Sequence, residues 1–173
     1  MARIIYKKGC EGQNRLECIE GIEIELLNGQ KALIYPKYSR EVMLADDDKI
    51  CNWDSPIETE MEALKREYAG YRTEQLVALD SPAAMWVTQF YADNYGVFAL
   101  PSLLAAMEIQ YQNEDIDKLA ETIEGADLLR DFTSYVWSCS RCSEDYGWIA
   151  DGGGFVGCCS LGGSALVVPT ILY

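Results

Sequence analysis

Short apolar runs near both ends of the chain flank a middle in which apolar residues recur at every third or fourth position, and that succession predicts an α+β fold. Two observations add to it: Ser-Pro helix starts fall only in the middle, and glycine-rich turns separate short apolar runs towards the C-terminus. Residues 2–8 ("ARIIYKK"), 19–27 ("IEGIEIELL") and 31–36 ("KALIYP") read as strands, the last two joined by an Asn28-Gly29 turn. A helix of about three turns is expected in "SPIETEMEALKREYAG", with Ile57, Met61, Leu64 and Tyr68 on one stripe between the Ser55-Pro56 start and Gly70. A second opens at Ser81-Pro82, turning Ala83, Trp86, Val87, Phe90 and Tyr91 inward. A third is capped by Ser102, and a fourth follows with Ile116, Leu119 and Ile123 inward. From Phe132 onward the pattern returns to short strands, ending in "SALVVPTILY". No repeat or linker divides the 173 residues, so one domain is expected. Its residues 1–69 form a β-rich part plus helix, and 70–173 form the remainder.

Composition removes several function classes. The net charge of -14, from 28 acidic and 14 basic residues, repels phosphate backbones and argues against nucleic acid as a partner. The chain contains no histidine, which excludes Ser-His-Asp and Cys-His nucleophile activation and every His-containing zinc site. No window approaches the roughly 20 apolar residues of a membrane span, and the first residues lack the apolar core of a signal peptide. Cytoplasmic synthesis is therefore expected, with the cell surface or a phage particle left open as the final location. Seven cysteines in such a chain are expected to be reduced thiols.

Residues 135–169 hold four of those cysteines and half of the 14 glycines. Cys139 and Cys142 form a CxxC, with Cys158 and Cys159 further on, but adjacent cysteines fit a zinc ribbon poorly. A redox CxxC needs a helix N-terminus after its first thiol, whereas Cys139 follows the strand-like "SYVWS". The run "DGGGFVG" lacks the P-loop pattern and a following helix, and reads as a turning hairpin. The acidic runs at Asp46 to Asp48, Glu114 to Asp117 and Glu144-Asp145 read as solvated surface in so acidic a chain. No cofactor is expected.

The landmarks "SPAAMWVTQFYADNYG", "ALPSLLAAMEIQYQN", "LLRDFTSYVWSCS", "DYGWIADGGGFVG" and "ALVVP" follow in an order that resembles the C-type-lectin-like domains of the DUF1566 kind, over roughly residues 70–173. Departures are Ala105 where the family tends to place the Glu of a capping box, Cys139 in place of a serine, and Val168 in place of an arginine. The resemblance implies one of two branches. One is a formylglycine-generating-type oxidase, which would make Cys139 and Cys142, or Cys158 and Cys159, catalytic. The other is a binding protein like the variable proteins of diversity-generating retroelements, whose C-terminal codons are rewritten at AAY triplets. Such triplets never become Lys, Glu, Gln, Met or Trp. Between Ser138 and Gly163 those types occur only as Glu144 and Trp148.

The binding branch is the reading adopted: a non-enzymatic receptor- or adhesin-type protein with a protein ligand and a face built by residues 138–163. The sugar-lectin calcium signatures are missing from the C-terminal region, and "NWD" at Asn52 to Asp54 lies too early to serve. Tyr146 and Phe155 are the expected aromatic anchors, because aromatics in glycine-rich surroundings more often meet a partner. Ser140, Ser143, Asp145, Asp151 and Ser160 are expected polar contacts, Arg141 a charged contact, and Cys158 and Cys159 tolerated thiols on the same face. Trp137 and Trp148 are expected to be buried scaffold.

Overall fold

The computed structural model describes residues 2–40, 42–45, 58–65, 70–132, 135–151 and 153–173. Strands β1 (Arg3–Tyr6), β2 (Ile19–Glu25) and β3 (Lys31–Ile34) form an antiparallel meander where the three short apolar runs predict strands. The register slips beside Gly21: Ile5 lies opposite Gly21, and the next residue, Tyr6, lies opposite Ile19. A Cβ at Gly21 would sit 2.6 Å from the Ile34 carbonyl oxygen, so the close approach of β3 requires glycine. The turn into β3 runs from Leu26, whose amide donates to Gln30 O at 2.8 Å, with Gly29 at φ 84.

Helix α1 (Glu60–Leu64) starts later than the Ser55-Pro56 signal suggests, because Thr59 and Glu62 form a capping box. Met61, expected inward, is exposed, and Ala63 is buried instead. Ile57 and Tyr68 of the expected stripe lie outside the described residues, as do the acidic run at Asp46 to Asp48 and the "NWD" at Asn52 to Asp54. Helix α2 (Gly70–Ala78) is not foreseen from sequence, since "GYRTEQLVA" carries a sparse apolar pattern and buries Arg72 and Thr73 beside Leu76. Helix α3 (Pro82–Val87) begins where expected, with the Ala84 amide donating to Ser81 Oγ. It stops at Val87, and the chain from Phe90 turns into a hairpin of β4 (Tyr91–Ala92) and β5 (Gly96–Val97) that leaves Tyr91 exposed. The fully buried Glu20 carboxylate holds that hairpin, accepting from Asp93 N at 2.6 Å and from Asn94 Nδ2 at 2.6 Å.

Helix α4 (Leu103–Tyr111) is capped by Ser102, and α5 (Asn113–Ala120) turns Ile116 inward, with Ile123 buried beyond its end. Asp117, part of one acidic run, is buried and accepts from the Leu129 and Arg130 amides at 2.7 and 3.0 Å. Strands β6 (Tyr135–Arg141), β7 (Tyr146–Asp151) and β8 (Val156–Ser160) form a second antiparallel sheet with β7 in the centre. The closing strand β9 (Thr170–Leu172) returns to pair with β3, so both ends of the described chain share one four-stranded sheet. The architecture is α+β, with five helices and three antiparallel sheets among the described residues.

The second sheet is packed on both faces. Val136 and Ala150 join a core with Ile22, Ile34, Leu103 and Ile109, while Trp137 and Ile149 join another with Leu44, Leu76 and Val87. No helix among the described residues is long and apolar enough to cross a membrane.

Candidate functional site

The β6–β7 hairpin is held from within by a residue expected on the surface. Arg141 is 4% exposed, and its guanidinium donates from Nε to Ser143 O at 3.2 Å and from Nη2 to Glu144 O at 2.5 Å. Two carbonyls of the turn replace the water a guanidinium would otherwise keep, so Arg141 is a turn clamp and not a ligand contact. Ser140 is also displaced from the expected face, at 0% exposure. The β6–β7 register is irregular between Trp137 and Arg141, with the Cys139 amide donating to Pro101 O and the Ser140 amide to Ser138 Oγ. That irregularity carries residue 140 into the interior.

The β7–β8 hairpin is closed by Asp151. Its Oδ1 accepts from Gly153 N at 2.9 Å and from Phe155 N at 2.8 Å, an arrangement that Asx side chains favour in turns. Gly154, at φ 80, takes the left-handed position. Phe155 projects from this turn at 58% exposure, and Tyr146 stands at 46% at the start of β7.

Cross-strand pairing sets which side chains lie together. Tyr146 pairs with Ser160 and Trp148 with Cys158, so these four share one face, while Gly147 and Cys159 point to the other. Trp148 is only partly buried, and its indole donates to the Glu58 carbonyl at 2.8 Å, which ties the segment before α1 to the sheet. Trp137 is fully buried, as a scaffold residue should be.

Cys142 and Cys158 are joined in a disulfide with their Cα atoms 6.5 Å apart, which overturns the expectation of reduced thiols throughout. The two hairpins bring residues 16 apart into reach, a juxtaposition that sequence spacing does not reveal. The disulfide also separates the CxxC: Cys142 is engaged and Cys139 is buried. Cys159 is half-buried on the opposite face, and burial pushes its thiol pKa up. Among the described residues no group of three or more Cys, Asp or Glu side chains is placed to hold a metal ion.

Of the ten expected contacts, Asp145, Tyr146, Phe155, Cys158 and Ser160 are exposed, and Ser143, Asp151 and Cys159 are half-buried. Ser140 and Arg141 are buried. Sequence reasoning missed the disulfide and the Trp148–Glu58 bond, and neither leaves a local signal. No protein-family model, curated protein or solved structure matches the chain.

Proposed function

We propose that the chain is a non-enzymatic ligand-binding protein of C-type-lectin-like architecture, with a binding face on the two hairpins between residues 142 and 160. One observation carries this reading: the hairpins are held by Arg141, Asp151 and the Cys142–Cys158 disulfide, while the exposed side chains of Asp145, Tyr146, Phe155 and Ser160 take no part in those bonds, Phe155 contributing only its backbone amide. A scaffold whose turns depend on a few inward residues tolerates change at the outward ones. Tyr146 and Phe155 offer rigid contact area, and Asp145 and Ser160 offer adaptable hydrogen bonds, the composition of a protein-binding paratope.

The pairing of β9 with β3 supports the lectin-like architecture, because it loops the chain's end back beside its start. The Cys142–Cys158 bond takes one cysteine from each of the two pairs that the oxidase alternative would use, Cys139 with Cys142 and Cys158 with Cys159, and so favours binding. Such a cross-link persists outside a reducing compartment, which supports a face displayed beyond the cytosol.

The test is to read the codons for residues 138–163 at the genomic locus and to look for a template repeat beside a reverse transcriptase. AAY-derived codons at 145, 146, 155 and 160, mismatched to template adenines, would establish diversification. A locus with neither repeat nor reverse transcriptase would overturn the variable-protein reading and leave a fixed binding face to be sought.

A further inference from the structure

A strand at the edge of a sheet presents unpaired backbone groups to any extended chain, and proteins blunt such edges with charges, register slips or covering segments. Among the described residues the two larger sheets have four edges, and three of them are blunted. Strand β1 carries Arg3, slips its register at Tyr6 and runs on into Lys7 and Lys8. Strand β9 is covered by Ala99, which exchanges backbone hydrogen bonds with Thr170 at 2.9 and 2.8 Å. Strand β6 is covered by Leu166 and Pro101, whose carbonyls accept from the Trp137 and Cys139 amides at 2.9 and 2.8 Å. Strand β8 has no such device: "VGCCS" holds neither charge nor proline, and it pairs with β7 through five residues without a slip.

The direction of its backbone groups follows from two bonds. The Asp151 amide donates to Phe155 O and the Leu161 amide to Asp145 O, each at 2.9 Å. In that register the odd-numbered residues of β8 bond to β7, and the amides and carbonyls of Val156 and Cys158, with the Ser160 amide, face away from it. None of these groups has a partner among the described residues, and Cys158 and Ser160 are exposed. The Phe155 ring lies back over Gly157, where an added Cβ would come within 2.5 Å of its Cε1, so the edge offers an aromatic surface where the strand itself has no side chain. Charge selects the occupant. Glu144 and Asp145 are exposed near the Ser160 end and Asp151 closes the turn at the Val156 end, while Arg141 is turned inward and no lysine or arginine follows it in the chain. A second copy of the chain would bring its own charge of -14 to the same acids.

We infer that β8 accepts, as an added strand, an extended basic segment of a protein partner with alternating apolar residues, its backbone on Val156, Cys158 and Ser160 and an apolar side chain on the Phe155 ring. The inference rests on the hairpin reading and deepens it, since it states how a protein ligand seats there.

The probe is the acetylated and amidated peptide Lys-Val-Thr-Val-Thr-Val-Lys, titrated into the isotope-labelled full chain and followed by amide NMR. Signals of Val156, Cys158 and Ser160 should move more than those of Gly157 and Cys159, with a Kd of roughly millimolar order. The same peptide with Glu at both ends should bind at least about tenfold more weakly, and the gap should close at about 0.5 M salt. Proline in place of the central valine should weaken binding by about tenfold, because it removes a ladder donor. On the protein side, Val156→Pro removes an outward N–H and no bond to β7, and should weaken the Lys-ended peptide by about tenfold; Ser160→Pro does the same at the other end. Unmoved signals at the three outward amides would overturn the inference, as would equal binding of the Lys- and Glu-ended peptides, or of the valine and proline peptides. So would a dimer of the chain alone, seen in sedimentation and dispersed by Val156→Pro, which would give the edge to a second copy. Peptide binding that is lost in Tyr146→Ala but kept in both proline variants would overturn strand addition and leave the hairpin reading standing as a surface of side chains.

Discussion

Strand β2 of the four-stranded sheet buries six of its seven residues, whereas every residue of β8 in the three-stranded sheet keeps some exposure. Both are short antiparallel strands, yet different forces hold them. In β2 the side chains Ile19, Ile22 and Ile24 are fully buried in the core, and the two buried carboxylates, Glu20 and Glu23, are engaged. Glu23 meets Arg3 at 2.9 Å, Lys31 at 3.1 Å and the Tyr173 hydroxyl. In β8 the strand is positioned by main-chain pairing to β7, by the Asp151 turn and by the disulfide, so its outward side chains carry little of the fold. Where packing defines a strand its residues are constrained; where hairpin bonds define it they are available for recognition.

The largest effect should come from removing the residue on which the second sheet rests. Trp137→Ala should cost about 3–5 kcal/mol in urea denaturation, as for other buried tryptophans, and Trp148→Ala distinctly less because that ring is partly exposed. Equal losses at the two positions would contradict the burial difference between them. Next in size is the cross-link: reducing Cys142–Cys158, which closes a loop of 16 residues, should cost about 3 kcal/mol. Hydrogen exchange should then accelerate at amides of residues 146–160 and stay slow in β2. Uniform acceleration in both sheets would show that the second has no stability of its own to lose.

A third contrast lies in acid. Burial acts to raise the Glu23 pKa, but hydrogen bonds from Arg3, Tyr173 and Lys31 outweigh it and hold the carboxyl at about 2, below the usual 4.5. A depressed carboxyl stabilises the fold fully above its unfolded pKa, and that contribution fades as the pH falls from about 4.5 through about 2. Glu23→Gln should flatten the stability profile in that window, and an unchanged acid limb would remove Glu23 from the account. The smallest effect belongs to the outward aromatics. Tyr146→Ala and Phe155→Ala should each change stability by no more than about 0.5 kcal/mol in the same assay, and a larger loss at either would make it scaffold.

Much of the fold was legible because local chemistry announces it. Ser81 and Ser102 cap the helices they precede, Gly29 turns β2 into β3, and the order of strand, helix and strand follows the apolar period. Helix α2 escaped because its residues bury polar side chains and so break the apolar pattern on which such a reading depends. The outward aromatics could be read from glycine-rich surroundings. The inward turn of Arg141 could not, because its acceptors are carbonyls that exist only once the hairpin has formed.

By itself the sequence determined the α+β class, most of the strands, three helix starts and a histidine-free chemistry, since each is set by residues within a few positions of one another or by composition alone. Tertiary structure decided the return of β9 to β3, the joining of Cys142 to Cys158, the capture of the β4–β5 hairpin by Glu20 and the inward turn of Arg141. The first three depend on contacts between residues far apart in the chain and the last on carbonyls that exist only once the hairpin has formed, and side-chain identity alone does not specify which backbone will supply a hydrogen-bond partner or which cysteine a thiol.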